Sequence, residues 1–353
     1  MKISNYAIHD ILNFQIKKLA GPVKKYLDTT SIQFQNFISD NNSPSDFTVE
    51  IGPFSRENRV CSIIDDNYYI ADDYIYFKDR RKLSKWEVEI SGIERLPRVR
   101  ISTNFVGNIT TPLNIVEFFI QYCLLKKGIS VIHASGVGKR GKCVVFPARS
   151  GGGKTIVALS SLDRGFSYLG DNFIILDKGV ARSYINPLNI FTYNRLQVVE
   201  KNLTPKQRLS LFLKRNLCAI TGGYFKIFEK INPINIFNDL IVDNCPIYLI
   251  CLLEVNNVST KNKLVLKSLP KDILVKKLRY NMELDLIAFS KCIYSYGHVL
   301  PNSVFSRFWE LYEHVLEHNL PSGISTVSIE VPLQLTESVI DEIVDLVEDN
   351  LFV

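Results

Sequence analysis

The sequence predicts a mixed α/β (α+β) protein whose N-terminal third is rich in β-strands. Three observations lead to this fold class. Short runs of β-branched and aromatic residues recur between residues 47 and 101, a glycine-rich loop in the middle of the chain lies between a strand-like and a helix-like segment, and strands and helices alternate towards the C-terminus. The 353 residues are enough to bury a large core.

Residues 1–110 form the predicted N-terminal module. Its first 40 residues are expected to be helical and to end at a turn cluster at 41–46. The strand-like runs that follow are separated by Asp, Asn and Lys turns, which predicts an antiparallel arrangement. These runs are 47–51, 60–64, 68–71, 74–77, 86–90 and 98–101. Their aromatic residues (Tyr68, Tyr69, Tyr74, Tyr76 and Trp86) are more typical of a core than of a binding surface.

Residues 111–353 form the predicted second domain. Pro112 opens a helix that stops at Gly128, and two apolar strands follow, separated by a tight-turn sequence at 138–141. The other expected strands are short apolar runs, and the other expected helices show apolar residues at helical spacing. Strands are expected at 131–137, 142–146, 168–169, 173–176, 247–255 and 325–331, and helices at 154–163, 206–214, 272–281, 285–294, 303–318 and 337–348.

Composition and charge argue against several classes of partner. The net charge of +6 is spread over separate doublets and triplets, without the clustering that nucleic-acid binding requires, so no nucleic-acid partner is expected. The apolar runs are too short to cross a bilayer and the N-terminus lacks a signal-peptide core, which favours a cytoplasmic protein without a membrane partner. The seven cysteines include no Cys-x-x-Cys pair, so no zinc site is predicted.

The glycine-rich loop is the motif that carries chemistry. It matches the phosphate-binding P-loop pattern at every position except the first, where Ala148 replaces the usual glycine. Successive backbone amides of such a loop, together with the N-terminus of the following helix, bind phosphate oxygens. Lys154 is then placed to bind the β- and γ-phosphates, and the Thr155 hydroxyl to ligate Mg²⁺. The predicted nucleotide-binding residues are Ala148, Arg149, Ser150, Gly151, Gly152, Gly153, Lys154 and Thr155.

Asp171 and His133 are further candidates for the same site. Asp171 follows the P-loop helix by one short strand, where a carboxylate is able to bind Mg²⁺ or to accept a proton from an attacking hydroxyl. A turn aspartate in Gly-Asp-Asn is an equally good interpretation of its spacing. His133 lies on the strand before the P-loop strand, with Ser135 on the same face, and spacing alone favours a core histidine there.

Three segments in the right order resemble the bacterial HPr kinase/phosphorylase family, whose kinase core is similar to that of phosphoenolpyruvate carboxykinase. These segments are 132–137 (Ile-His-Ala-Ser-Gly-Val), 146–155 with the P-loop, and 168–172 (Tyr-Leu-Gly-Asp-Asn). The resemblance implies that Asp171 is the catalytic base, that Lys154 and Thr155 bind phosphates and metal, and that His133 lines the same pocket. The paired acid of the family is replaced by Asn172, so a divergent member that does not act on HPr is expected.

The expected activity is therefore transfer of the γ-phosphoryl group of ATP, with Mg²⁺, to a hydroxyl of a peptide, a protein or a small molecule. Catalysis would rest on Asp171, His133 and Lys154, and the N-terminal module would recruit the acceptor. Two alternatives stay open: a non-catalytic ATP-binding regulatory module, and a P-loop ATPase. The sequence does not identify the acceptor, and a homo-oligomer is compatible with it.

Overall fold

The computed structural model describes residues 1–19, 28–40, 43–109, 111–191, 203–220, 228–257 and 264–352. Within these ranges the chain forms two compact units, and each unit is built from two separate stretches of sequence. The first unit contains Met1–Ser130 and Glu283–Val315, and the second contains Val131–Met282 and Leu316–Val353. The fold is mixed α/β, as predicted, and its N-terminal part is rich in strands.

The first unit is built on an eight-stranded sheet in the order β1-β2-β3-β8-β7-β6-β5-β4. Most neighbours are antiparallel, but β3 runs parallel to both β2 and β8, so the predicted all-antiparallel arrangement is only partly correct. Its elements are β1 (Lys2–Ile8), β2 (Leu12–Lys18), α1 (Thr29–Gln33), β3 (Phe47–Ile51), β4 (Ser62–Ile64), β5 (Tyr68–Ala71), β6 (Tyr74–Arg81), β7 (Ser84–Ser91), β8 (Arg98–Thr103) and α2 (Thr111–Lys126).

The N-terminal 40 residues are not the predicted helical segment, because they begin with the hairpin β1–β2. In β2 the side chains of Leu12, Phe14 and Ile16 are buried and those between them are less buried, which is the two-residue period of a strand. Phe14 stacks on Phe47 of β3 at 5.1 Å between ring centroids. The hydrophobic core therefore continues from the hairpin into the strands that the sequence predicted correctly.

Helix α2 supplies much of the core of the first unit. Phe119 lies 6.0 Å from Phe47 of the sheet, and the Tyr122 hydroxyl donates to the carbonyl oxygen of Ile93 at 3.2 Å. Phe118 stacks on Phe289 at 4.2 Å, which brings residues from the far end of the chain into the same core. The predicted domain boundary at residues 110/111 thus differs from the observed division, since α2 belongs to the first unit.

The aromatic residues of the N-terminal strands lie mainly in this core. Tyr68, Tyr74 and Tyr76 are each 3% exposed or less, while Tyr69 and Trp86 are half-buried. The buried carboxylate of Glu89 accepts a hydrogen bond from the Tyr74 hydroxyl at 3.0 Å. Burial raises the pKa of Tyr74 to about 12, so this hydroxyl remains a donor at neutral pH.

The second unit is built on a nine-stranded sheet of mixed orientation. The long strand β17 is its centre, because it pairs in parallel with both β11 and β19 and antiparallel with β14. The strand elements are β9 (Ser130–Ile132), β10 (Ala134–Lys139), β11 (Lys142–Pro147), β12 (Ser167–Gly170), β13 (Ile174–Asp177), β14 (Val180–Arg182), β17 (Asn244–Asn256), β18 (Leu266–Ser268) and β19 (Ser325–Pro332), with β15 (Leu188–Phe191) and β16 (Phe228–Ile231) as a separate pair.

The remaining helices are α3 (Lys154–Leu162), α4 (Pro205–Ile220), α5 (Ile234–Phe237), α6 (Lys271–Asp285), α7 (Ile287–Val299), α8 (Phe308–Asn319) and α9 (Glu337–Phe352).

Two apolar clusters hold the helix that follows the glycine-rich loop. Val157 of α3 and Ile343 of α9 are buried with the inward side chains of β11, β17 and β19 in one cluster. Leu159 of α3 joins a second cluster with β12, β15 and Leu211 of α4. Helix α3 is therefore held on two faces, which fixes the direction of its N-terminus.

The predicted elements of this half of the chain are present with shifted ends. Strand β17 is longer than predicted and α8 begins five residues later than expected. The turn between β10 and β11 is confirmed, with positive φ angles of 52° at Arg140 and 75° at Gly141. Among the residues that the structure describes, no helix is both long and apolar enough to cross a membrane.

Candidate nucleotide-binding site

The glycine-rich loop connects the buried end of β11 to the N-terminus of α3. Ala148 is fully buried and continues the strand by a bridge to Leu253 of β17. The loop then turns with a hydrogen bond from the amide of Gly152 to the carbonyl oxygen of Arg149 at 2.9 Å. Helix α3 starts at Lys154, so the loop has the strand–loop–helix placement that phosphate binding requires.

Each glycine of the loop is favoured at its position for its own structural reason. Gly151 and Gly153 have φ angles of 85° and 86°, in the left-handed region that favours glycine. A Cβ on Gly153 would overlap Cδ1 of Leu335, and a Cβ on Gly152 would lie 2.9 Å from the Cβ of Ala148. Ala148 itself is not among the residues with positive φ, which explains why alanine is tolerated at the first position of the pattern.

Lys154 and Thr155 occupy the first turn of α3. The Lys154 side chain is buried, with 5% of its surface exposed, which is rare for a lysine. Ser150 and Gly151 lie on the exposed part of the loop. The amino end of the helix adds partial positive charge at this point, so the region favours an anionic ligand.

Asp171 connects three elements of the site. It is 4% exposed and follows β12, and its Oδ1 and Oδ2 lie 2.9 Å and 3.0 Å from the Thr155 hydroxyl, which donates to the carboxylate. The Ser135 hydroxyl of β10 also donates to Oδ1 of Asp171. The carboxylate is therefore anchored beside the helix N-terminus, which its position in a Gly-Asp-Asn turn did not by itself predict.

Asn172 follows Asp171 in the turn and has a conformational role. Its φ of 69° lies in the left-handed region, which asparagine tolerates better than most residues. Its carbonyl oxygen accepts a hydrogen bond from the amide of Ala134 at 3.2 Å. The turn after β12 is thereby held against the start of β10, and this contact fixes the backbone on both sides of Asp171.

His133 lies in the break between β9 and β10 rather than within one continuous strand, which corrects the predicted strand 131–137. Its side chain is half-buried, and its ring centroid lies 6.0 Å from that of Phe173. The adjacent backbone faces the turn that carries Asp171, through the contact between Ala134 and Asn172. The role of His133 in a phosphate pocket stays a prediction.

Asn281 of α6 is a site residue that the sequence analysis missed. Its side chain is buried, with 6% exposed, and its Nδ2 donates to the carbonyl oxygen of Ala148 at 3.2 Å and to that of His133 at 3.5 Å. Nη1 of Arg149 donates to Oδ1 and to the backbone oxygen of Asn281, both at 2.8 Å. Asn281 therefore joins the glycine-rich loop to the strand break at His133, although it is distant from both in sequence.

Tyr168 lies on β12, three residues before Asp171, and is fully buried. Burial and the charge of Asp171 raise the pKa of Tyr168 well above its ordinary value. Its hydroxyl therefore stays neutral at physiological pH, and Tyr168 does not supply a second charge to the site.

The side-chain oxygens of Thr155 and Asp171 are of the chemical type that Mg²⁺ prefers. Mg²⁺ prefers hard oxygen ligands and is commonly held by one or two carboxylates together with the phosphates of its nucleotide. The Thr155 hydroxyl and the Asp171 carboxylate supply such oxygens at hydrogen-bonding distance from each other. In the described part of the chain no group of three or more His, Cys, Asp or Glu residues is placed to hold a metal by itself.

Comparisons with known proteins add little to this geometry. No protein-family model matches the chain, and no curated protein matches it either. Among solved structures, the chain is similar to the Hpr(Ser) kinase/phosphatase from Coxiella burnetii, with a TM-score of 0.31 and 12% sequence identity over 63% of this chain and 90% of that chain. This likeness is too distant to transfer an activity or any site residue.

Proposed function

We propose that this protein is an ATP-dependent kinase that transfers the γ-phosphoryl group to a hydroxyl of a peptide, a protein or a small molecule. The observation that carries the proposal is the anchoring of Asp171 beside Thr155 at the N-terminus of the P-loop helix. A module that only binds nucleotide has no need for a proton acceptor at this point, although it can use a carboxylate to hold Mg²⁺. A kinase needs one to orient or deprotonate its acceptor.

Each residue has a distinct part in the proposed reaction. The loop amides and Lys154 bind the phosphates, and Thr155 and Asp171 would hold Mg²⁺, which neutralises phosphate charge when bound. Asp171 accepts the proton of the attacking hydroxyl while the Ser135 hydroxyl keeps the carboxylate oriented. Asn281 holds Arg149 at the edge of the loop. In the proposed reaction the activation barrier is lowered by positioning of the reactants and by charge neutralisation, and no covalent enzyme intermediate forms.

Two substitutions separate binding from catalysis. Lys154→Ala removes a phosphate contact and is expected to weaken ATP binding strongly. Asp171→Asn retains the shape and is expected to leave ATP binding within a few-fold of normal, while phosphoryl transfer falls by about 10² to 10⁴, the usual contribution of a positioned base. Calorimetry with an ATP analogue measures binding, and incorporation of ³²P from ATP into a library of Ser- and Thr-containing peptides and small alcohols measures transfer.

The same assay tells the proposal from its two alternatives. ADP release without label in any hydroxyl acceptor would indicate a P-loop ATPase. ATP binding without ADP release or label transfer would indicate a regulatory module, and near-normal transfer by Asp171→Asn would remove the base from the mechanism. Unchanged ATP affinity in Lys154→Ala would overturn the nucleotide site itself.

Recruitment of the acceptor by the N-terminal strands stays a second part of the proposal. The edge strand β4 supports it, because Ile63 is 55% exposed there and the neighbouring Val60 is 99% exposed. An exposed sheet edge of this kind is able to bind an extended peptide as an added strand.

A further inference from the structure

The tip of the β6–β7 hairpin and the loop after β8 expose apolar side chains next to each other. Leu83 is 76% exposed at the tip, and Phe105 and Val106 are 72% and 41% exposed in the loop. A single exposed apolar side chain is ordinary on a protein surface, whereas neighbouring ones on two connected loops form a patch. We call Leu83, Phe105 and Val106 the tip patch.

Asn104 fixes the two loops against each other. Its Nδ2 donates to the carbonyl oxygen of Leu83 at 2.7 Å, and its Oδ1 accepts hydrogen bonds from the amides of Lys85 at 3.0 Å and Gly107 at 2.9 Å. Its own amide donates to the carbonyl oxygen of Lys85 at 3.0 Å. A Cβ on Gly107 would lie 2.8 Å from that same oxygen, so the loop packs directly on the hairpin. The tip patch is therefore a fixed feature of the first unit.

Positive charges surround the tip patch. The end of β6, the turn and the start of β7 carry four exposed cations, Arg80, Arg81, Lys82 and Lys85, with Asp79 as the one acid between residues 79 and 85. Within the part of the chain that the structure describes, none of these four side chains has a hydrogen-bond or ion-pair partner. Their charge is therefore available to an anionic partner.

The sequence of the hairpin tip is unfavourable for the hairpin itself. Arg80 and Lys85 lie directly opposite each other in the register of β6 and β7, where like charges repel. Lys82 has a φ of 55°, in the left-handed region, where a two-residue hairpin turn favours glycine or asparagine. Leu83 completes this turn with an apolar side chain in solvent. Departures of this kind from local folding preferences concentrate at functional sites.

An anionic membrane surface matches this combination of groups. Its headgroup phosphates would neutralise the four cations, including the opposed Arg80 and Lys85, and its interfacial region would take up Leu83 and Phe105. A protein interface of ordinary size uses about 20 to 30 residues on each side, far more than the tip patch offers. Nucleic acid would neutralise the cations through its phosphates but would leave Leu83 in water. Charge and apolar surface together favour lipid.

We propose that the tip patch and the four cations around it form a docking site for a membrane surface that contains anionic lipids. The β6–β7 hairpin would place Leu83 and Phe105 among the lipid headgroups, and the described chain would lie on the bilayer without crossing it. The expectation of no membrane partner rested on contiguous apolar runs, whereas this surface combines two loops. The inference is independent of the proposed kinase activity, since it concerns binding alone.

Co-sedimentation of the full chain with lipid vesicles tests the proposal. The probe is a vesicle of phosphatidylglycerol and phosphatidylcholine in equal parts, and pure phosphatidylcholine vesicles are the uncharged comparison. We expect saturable binding to the anionic vesicles that is at least roughly tenfold stronger than binding to the neutral ones, since each Lys or Arg near an anionic surface adds to the attraction. Salt should weaken this binding, because it screens the charges.

Two double variants locate the site. Arg80→Gln, Lys85→Gln removes two cations and is expected to weaken binding to anionic vesicles by about tenfold or more. Leu83→Ser, Phe105→Ser removes only exposed apolar side chains and is expected to weaken it by a similar factor. The first variant also relieves the repulsion between opposed cations, so its thermal unfolding midpoint should stay at or above that of the unmodified chain.

Matched controls change the same groups elsewhere. Lys206→Gln, Lys276→Gln alters the net charge by the same amount at two exposed lysines outside the hairpin, and Leu333→Ser removes an apolar side chain that is 80% exposed. Both controls should bind the anionic vesicles nearly as well as the unmodified chain does.

Several results would overturn the proposal. These are no binding to anionic vesicles, equal binding to anionic and neutral vesicles, and an equal loss in the site variants and their controls. Binding of a fluorescent oligonucleotide that depends on Arg80 and Lys85, without vesicle binding, would instead assign the cations to nucleic acid.

Discussion

Asp171 accepts hydrogen bonds from hydroxyl groups on two different elements, Ser135 on β10 and Thr155 on α3. Charge-assisted hydrogen bonds of this kind hold a carboxylate in one orientation. The strand-then-acid spacing made Asp171 a candidate, but an equally ordinary turn aspartate has the same spacing. Only the tertiary structure supplies the contacts with Thr155 and Ser135, and the catalytic role of Asp171 stays a prediction.

Asn281 shows the limit of sequence reasoning at the same scale. It lies in the middle of a helical pattern with no local signal, and its partners Ala148 and His133 are more than 130 residues away. The local sequence offers no way of pairing it with the loop.

We expect Asn281→Ala to weaken ATP binding and to lower the free energy of unfolding by about 1 to 3 kcal/mol, since a buried carbonyl oxygen loses its donor and Arg149 loses one acceptor. Nucleotide titration and urea unfolding measure the two effects. Arg149→Met is the partner variant in a double-mutant cycle. If the two residues act as one unit, their effects on ATP binding will be less than additive, and full additivity would contradict this role for Asn281.

At the scale of elements, the conformation of the glycine-rich loop depends on packing as well as on backbone freedom. Gly151 and Gly153 have almost the same left-handed φ, but of the two only Gly153 faces a side chain from a distant part of the chain, that of Leu335 in the loop after β19. The sequence identifies the glycines of the loop. Why glycine is favoured at each position differs between them, and only the three-dimensional structure shows it.

Gly151→Ala is expected to cost about 1 to 2 kcal/mol of stability from backbone strain alone. Gly153→Ala should cost more, by about 1 to 3 kcal/mol, because the added methyl group meets Leu335. Thermal and urea unfolding of the two variants give the difference, and ATP titration reports the loop. Adding Leu335→Ala to Gly153→Ala should recover part of the difference, and equal costs for the two glycine variants would contradict the clash.

The N-terminal hairpin was mispredicted for a physical reason. The alternation of Leu12, Phe14 and Ile16 is short, and no pronounced turn sequence marks its ends, so local propensity alone does not distinguish it from a helix. Pairing with β1 and β3 decides the structure, since each strand buries its inward side chains only when the sheet is complete. The strands between residues 47 and 101 have clear turns and were predicted correctly.

At the scale of the whole molecule, each compact unit is built from two separate stretches of the chain. The first unit needs α2 and residues 283–315 in addition to its sheet, because Phe118 packs on Phe289 and Phe119 on Phe47. The predicted boundary at residue 110 was based on a change in composition along the chain. Composition gives no information on later residues that pack in the core of an earlier segment, as residues 283–315 do.

We expect the fragment 111–353 to fold poorly, since it retains the apolar side chains of α2 and of residues 283–315 but lacks the sheet that buries them. Limited proteolysis and thermal unfolding, compared with those of the full chain, measure the loss. Exposed aromatic residues should also make the fragment aggregate at lower temperature. A cooperative unfolding transition at the temperature of the full chain would show that the boundary at 110 is structurally sufficient.

The sequence by itself determined the fold class, the place of the glycine-rich loop between a strand and a helix, and most of the strands and helices after residue 47, because these depend on local periodicity, turns and one contiguous motif. Only the tertiary structure decided that Asp171 lies against Thr155 and Ser135, that Asn281 holds the loop, and that the loop of Phe105 is fixed against the hairpin tip at Leu83. The physical reason is that these features depend on contacts between residues far apart in the chain, which local patterns do not encode.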